Sequence, residues 1–157
     1  MFIWFFPQKI AGHFKTAGRP RAAAFLPDGA KAYVTCETGG TICVIDTHED
    51  KVIKTIKPPG TNVRPMGIVV SPDGAHVYVT TGRGGSVLDI DTATDEIERQ
   101  LSNVGPRPWG IGITPDGSKL FTANGTSNDV AVIDAKSWQI VARLSCGQSP
   151  WGIAIAP

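Results

Sequence analysis

The stretch Pro65–Thr92 reads PMGIVVSPDGAHVYVTTGRGGSVLDIDT and contains the pattern that decides the fold. A proline opens it, an uncharged segment follows, and Pro72-Asp73-Gly74 then marks a turn. The opening proline recurs at spacings of 45, 43 and 42 residues, as Pro20, Pro65, Pro108 and Pro150. Periods of this length are typical of arrays in which each unit is one supersecondary motif.

Other columns of the repeat keep the same register. The Pro-Asp-Gly triplet occurs at 27–29, 72–74 and 115–117, and an aromatic residue follows each glycine by four positions. Further along, Ile-Asp-Thr at 45–47 and 90–92 is matched by Ile-Asp-Ala at 133–135. Because aspartates that recur in every copy are scaffold residues before they are catalytic ones, we interpret them as caps of turns and strand ends.

Each unit is predicted to contain four short strands. The first alternates small and large apolar residues without any charge, which predicts burial on both faces. The second contains the aromatic residue, and a glycine-rich turn leads to the third. The fourth is ambiguous, since 94–101 alone could form a capped helix, but the β-branched run 52–56 of the preceding copy favours a strand.

Four antiparallel strands per repeat of this length are typical of a β-propeller blade. We therefore expect an all-β, incomplete β-propeller with three full four-stranded antiparallel blades and one extra strand at each end. The predicted segments are an N-terminal extension at 1–7, an outer strand of a preceding blade at 8–19, blades at 20–64, 65–107 and 108–149, and an inner strand of a following blade at 150–157. This organisation is expected of a piece of a longer propeller.

Composition excludes several classes of protein. Fifteen Lys and Arg face fourteen Asp and Glu, so the net charge of +1 gives no global field that would attract nucleic acid. The longest apolar stretch, at 1–7, is far shorter than the ~20 residues of a membrane span. No basic residue precedes it, so no signal peptide is evident.

The sequences Tyr33-Val34-Thr35 and Tyr78-Val79-Thr80, with Pro-Asp-Gly ahead and Ile-Asp-Thr behind, resemble the YVTN family of β-propeller repeats. The resemblance covers about residues 8–157, and the third copy departs from it at Phe121-Thr122-Ala123-Asn124. It implies a periplasmic or cell-surface module, similar to propellers associated with quinoprotein (PQQ)-dependent catabolism in bacteria. Seven-bladed lactonases and the haem d1 domain of nitrite reductases are similar folds.

The candidate ligand-binding site is at the start of the inner strands, which surround one mouth of a propeller channel. Arg19, Arg64 and Arg107 precede the repeated prolines, and Trp109 and Trp151 follow two of them. Arginines there could bind a carboxylate or phosphate bidentately while the indoles stack on a planar ligand. The alternative, which the repetition favours, is that each arginine bonds carbonyls of the next blade and each tryptophan packs between blades. Ser149 breaks the series.

No cofactor, metal site or catalytic group is predicted. His13, His48 and His76 lack metal-ligand spacing, and the three cysteines form no Cys-x-x-Cys pattern. Cys36 and Cys43 flank a short turn, where two buried thiols are favoured over a disulfide. Arg83 and Trp138 are single-copy candidates for contact with a partner, although a solvated arginine and a packed tryptophan are the default interpretations.

The favoured function is a non-catalytic scaffold that binds an unknown protein or a small anionic ligand. The alternatives are a fragment of a propeller enzyme, lactonase-like or haem d1-type, and nucleic-acid binding through the Arg/Trp arc, against which the neutral charge counts. Unpaired blade edges also predict self-association.

Overall fold

The structure is a computed structural model that describes residues 13–156. Within these residues twelve strands form three antiparallel sheets, each a meander in chain order. Blade 1 contains β1 (Pro20–Phe25), β2 (Lys31–Cys36), β3 (Thr41–Asp46) and β4 (Lys51–Ile56). Blade 2 contains β5 (Ile68–Val70), β6 (His76–Thr80), β7 (Val87–Asp91) and β8 (Glu96–Leu101). Blade 3 contains β9 (Pro108–Ile113), β10 (Lys119–Asn124), β11 (Asp129–Asp134) and β12 (Gln139–Ser145).

This architecture confirms the predicted all-β fold with four antiparallel strands in each repeat. The ambiguous fourth element is a strand in all three copies, so the helical alternative for 94–101 is wrong. A 3₁₀ helix at Gly82–Gly84 follows β6. None of the helical structure in residues 13–156 is long and apolar enough to cross a membrane.

The predicted strands at the two ends differ from the structure. Residues 13–19 form no strand, and the rest of the predicted outer strand, 8–12, lies outside the described residues. Residues 150–156 are also not a strand, although their backbone lies close to β9, with a Cβ on Gly110 only 2.7 Å from Gly152 Cα. A strand requires a hydrogen-bonded neighbour, and close packing of two inner segments does not supply one.

The hydrophobic core lies between the blades. One cluster joins Tyr33 and Ile42 of blade 1 to Val77 and Leu88 of blade 2. A second cluster continues from Tyr78 of blade 2 to the apolar residues of blade 3. Blade 2 therefore buries both faces against neighbouring sheets, whereas blades 1 and 3 each bury one face against blade 2, so the stability of one blade depends on the next.

Threonine hydroxyls connect neighbouring blades through the backbone. Thr35 Oγ1 donates a hydrogen bond of 2.7 Å to the carbonyl of Met66, and Thr80 Oγ1 donates one of 2.9 Å to the carbonyl of Trp109. Both acceptors lie one residue after a repeated proline. These bonds fix the height of the inner strands of blades 2 and 3 relative to the preceding blade.

The repeated aspartates cap turns, as predicted. In the Pro-Asp-Gly turns each carboxylate accepts a hydrogen bond from the backbone N–H two residues later, at 2.9–3.0 Å. The glycine that follows has a φ of 73–75° in all three copies, a left-handed conformation that explains why glycine is needed there. Asp46, Asp91 and Asp134 accept bonds of 2.7–2.9 Å from the N–H three residues later.

These caps predict acid sensitivity. Hydrogen bonds from Thr114 and Ser118 lower the pKa of Asp116 to about 2, and backbone N–H donors lower the pKa of Asp46 and Asp134. A pKa lowered by folding contributes stability that is present above about 3.9 and is lost as the pH falls through the folded value. We expect the free energy of unfolding to fall between pH 4 and pH 2, and Asp116→Asn to make that fall shallower. An equally steep fall in this variant would contradict the assignment.

Candidate functional site

The starts of the three inner strands and the segment after Ser149 converge on one surface cavity. This mouth cavity has a volume of about 250 Å³. Its lining residues are Arg19, Arg21, Glu37, Arg64, Met66, Gly82, Arg83, Arg107, Trp109 and Trp151. All five residues of the predicted arc therefore line one cavity, and Arg21, Arg83 and Glu37 join them.

The mouth cavity continues along the inner strands. A second cavity of about 230 Å³ shares Arg21, Met66, Trp109 and Trp151 with it. The backbone of Gly67, Gly110 and Gly152 lines this second cavity, so small residues leave a groove where larger side chains would fill it. A ligand held at the mouth therefore has room to extend along the inner strands.

Glu37 is the centre of the charge arrangement at the mouth. Its carboxylate lies 3.3 Å from Arg19 Nε, 3.5 Å from Arg21 Nε and 3.6 Å from Arg64 Nη1, and its side chain is only 11% exposed. Oε2 is buried, and no group among the described residues donates a hydrogen bond to it. One carboxylate thus faces three guanidinium groups, and Arg83 and Arg107 add two more to the same cavity.

The arginines do not play the packing role that their repetition favoured. No side chain of Arg19, Arg64 or Arg107 donates a hydrogen bond to a backbone carbonyl in residues 13–156, where the comparable role belongs to Thr35 and Thr80. Arg19 and Arg107 have positive φ values of 58° and 55°, which project the side chain away from the regular strand direction. Arg19 and Arg64 pair with Glu37 instead, and the guanidinium group of Arg107 has no ion-pair or hydrogen-bond partner within residues 13–156.

The two tryptophans form a pair at the mouth. Their ring centroids are 4.6 Å apart and tilted by 45°, and the Arg21 guanidinium lies 5.1 Å from the centroid of Trp151. Trp109 packs on Gly125, where a Cβ would be 2.1 Å from the ring, whereas Trp151 is 58% exposed. Trp109 therefore packs on the turn after β10 of its own blade, and Trp151 presents an aromatic surface to solvent.

Sequence reasoning missed Glu37 and Arg21 as members of the site. Glu37 is a single-copy residue, because Gly82 and Gly125 occupy the equivalent positions in the other blades. That departure from the repeat was the available signal. Arg83, predicted as a surface contact, lines the mouth, and Trp138 packs 5.9 Å from Tyr78 between blades 2 and 3.

The cysteines carry no evident chemistry at the mouth. The Sγ atoms of Cys36 and Cys43 are 3.8 Å apart, and both residues are buried free thiols, as favoured from the sequence. Burial and the neighbouring Cys43 raise the pKa of Cys36 above its ordinary value, which disfavours the reactive thiolate. Cys146 is exposed and free.

The chain is similar to known β-propeller proteins in sequence and in structure. The sequence matches the family described as "Lactonase, 7-bladed beta-propeller" over residues 8–139. Hydrazine synthase of Kuenenia stuttgartiensis is similar in structure, with a TM-score of 0.79 and 27% identity over 92% of this chain and 42% of that chain. A putative 6-phosphogluconolactonase of Bacteroides fragilis has a TM-score of 0.73 and 23% identity over 88% of this chain and 43% of that chain. No curated protein matches.

The chain therefore spans less than half the length of these two structures. The family match supports the alternative prediction, a fragment of a lactonase-like propeller, better than the favoured prediction of a non-catalytic scaffold.

Proposed function

The chain belongs to the family of seven-bladed β-propeller lactonases, and we propose that its mouth cavity binds a small carboxylate- or phosphate-bearing ligand. The observation that carries the proposal is the lining of one cavity by five guanidinium groups and one carboxylate. Guanidinium groups bind both kinds of anion bidentately, and the charge imbalance favours an anionic occupant. The groove along the inner strands gives the rest of the ligand a place to lie.

The tryptophan pair narrows the chemistry of the ligand. Trp151 offers an exposed ring, and Trp109 holds its orientation from behind. A flat or ring-shaped ligand can stack on this surface while its acidic group reaches Arg64 or Arg107. The same ligand class suits both the binding function and the hydrolysis of a cyclic ester.

Lactone hydrolysis is the second candidate, and the family match favours it. Arginines at the mouth would bind an acidic substituent or stabilise the oxyanion that forms during attack on the ester carbonyl. Glu37 is the one carboxylate lining the mouth cavity among residues 13–156, and three arginines surround it. We assign binding to this chain and hydrolysis to the whole propeller.

Substitution of the mouth arginines tests the binding proposal. Glucose 6-phosphate carries a phosphate and a sugar ring that can stack on the indoles, and its binding should change the fluorescence of Trp109 and Trp151. We expect Arg64→Gln and Arg107→Gln each to weaken its affinity about tenfold, since a charged hydrogen bond contributes about 1.5–3 kcal/mol. Lys136→Gln, an exposed charge in a blade 3 turn, is the matched control and should bind normally.

Glu37→Gln should have the opposite effect on affinity in the same titration. Removing the carboxylate that competes with the ligand should strengthen binding several-fold, while the approach of like charges lowers stability. If Glu37→Gln, Arg64→Gln and Lys136→Gln all weaken binding equally, the mouth cavity is not the site.

The remaining parts of the proposal follow the sequence resemblance. We propose a YVTN-type repeat protein of the periplasm or cell surface.

Apolar side chains are exposed on blades 1 and 3, including Phe25 at 62% and Val141 at 55%, and we propose that they support self-association. Light scattering should show a mass that rises with protein concentration, and a constant monomer mass would contradict this part.

A further inference from the structure

A second group of polar side chains lies on blade 2, and none of its members lines the mouth cavity. Asp89, on β7, is fully buried. Its Oδ1 lies 2.9 Å from His76 Nδ1, and its Oδ2 accepts a hydrogen bond of 2.9 Å from Arg99 Nε. Glu98 Oε2 lies 3.8 Å from the same nitrogen of His76. The group therefore combines an imidazole and two carboxylates, drawn from three adjacent strands.

These residues depart from the repeat together. The equivalent residues in blades 1 and 3 are Val44 and Val132 for Asp89, Lys31 and Lys119 for His76, and Ile53 and Val141 for Glu98. The fold is therefore built twice in the same chain without any of them. A buried carboxylate in place of valine needs a partner, and His76 and Arg99 both supply one, so residues on three strands of blade 2 differ from the other blades as a group.

We propose that His76, Asp89 and Glu98 bind a divalent transition-metal ion, with Zn²⁺ as the reference case. The three ligand atoms all lie within 4.8 Å of one another. Ligands about 2.0–2.2 Å from one ion, at tetrahedral or octahedral angles, lie roughly 2.9–3.5 Å apart. The separation of His76 Nδ1 and Asp89 Oδ1 is already in that range. A small rotation of the Glu98 side chain, which is 54% exposed, brings its carboxylate to the same distance from the other two ligand atoms.

Arg99 holds the buried ligand in place. It binds the oxygen of Asp89 that faces away from His76, so Oδ1 remains directed at the site. The indole of Trp138 lies 4.6 Å from the guanidinium carbon and fixes Arg99 in turn. Such outer contacts orient metal ligands, although the positive charge of Arg99 also weakens cation binding. The two carboxylates offset that charge, and solvent completes the coordination.

Spacing along the sequence did not predict this site, because its residues meet only through strand pairing. His76 pairs with Asp91 across β6 and β7, and Asp89 pairs with Arg99 across β7 and β8. The ligands therefore lie thirteen and nine positions apart in sequence. A search for short histidine motifs does not find such an arrangement.

Calorimetric titration of the full chain with zinc chloride tests the proposal. We expect one equivalent to bind, His76→Ala to abolish the binding and Glu98→Gln to weaken it at least about tenfold. His48→Ala is the matched control, because His48 is exposed in a blade 1 turn, and it should bind as the unmodified protein does. Cobalt(II) should add a visible absorption band that His76→Ala removes.

Glu98→Gln keeps the test decisive if His76→Ala does not fold, since the Glu98 side chain is exposed and its loss leaves the pairing of Asp89 with Arg99 intact. The absence of saturable binding, or equal affinity in Glu98→Gln and the unmodified protein, overturns the proposal. Loss of binding in His48→Ala would place the metal elsewhere.

Discussion

Replacing Gly67 with alanine should destabilise the protein by about 3 kcal/mol, the upper range for overpacking a well-packed position. A Cβ at this position would lie 2.5 Å from the carbonyl oxygen of Trp109 and 3.1 Å from the backbone nitrogen of Ile111. Both atoms belong to the backbone of β9 and cannot rotate away. Blades 2 and 3 must therefore separate at the channel, and the hydrogen bond from Thr80 to Trp109 must lengthen.

Gly147→Ala is the matched control. Nothing lies within 4 Å of a Cβ built on Gly147, so the same substitution should leave stability unchanged or raise it slightly through the unfolded state. Urea unfolding followed by circular dichroism measures both. Equal midpoints for the two variants would show that close approach of the inner strands is not required.

Replacing Asp95 with alanine should cost about 3 kcal/mol, because breaking a buried polar pair strands the partner that remains. The hydroxyl of Tyr33, whose ring is fully buried, donates a hydrogen bond to Asp95, and Lys31 Nζ lies 2.9 Å from the same carboxylate. Burial, and then the hydrogen bond to Asp95, raise the pKa of Tyr33 above its ordinary value, so the phenol stays a donor. Removal of the Asp95 carboxylate leaves the Tyr33 hydroxyl without an acceptor between blades 1 and 2.

Asp50→Ala is an unusually close control for this prediction. Asp50 and Asp95 occupy the same position of the turn before the fourth strand, with φ values of 49° and 55°. Both alanines therefore lose the same local preference for the left-handed conformation, but Asp50 is exposed. The difference in unfolding free energy between the two variants isolates the contacts across the blades. Tyr33→Phe combined with Asp95→Ala should recover part of the loss, and no recovery would contradict the argument.

The fold was predictable because its physical requirements repeat. Every blade needs a turn that accepts a left-handed glycine and a capping carboxylate, so Pro-Asp-Gly recurs and reveals the period. The candidate site was predictable in part for the same reason, since Arg64 and Arg107 precede repeated prolines. What a repeat imposes on each unit can be recognised from a single chain.

Features that occur once were harder to predict. Glu37 reaches the mouth from a hairpin turn, and Asp89 is a charged residue in a column that is otherwise valine. Whether such a residue is buried depends on Arg99 and His76, which come from other strands. The segment at 150–156 has an inner-strand pattern, but pairing is a property of two segments and is not encoded by one.

The threonine bonds between blades have a consequence for how such a protein diverges after its blades are duplicated. Because Thr35 and Thr80 bind main-chain carbonyls, the side chains of the acceptor residues take no part in joining the blades. Met66, Trp109 and their equivalent Arg21 all project into the mouth cavity, and they differ completely in chemistry. Selection can therefore exchange the residues that face the ligand one at a time while the joints between duplicated units stay intact. A propeller built in this way can acquire a new specificity without first losing its fold.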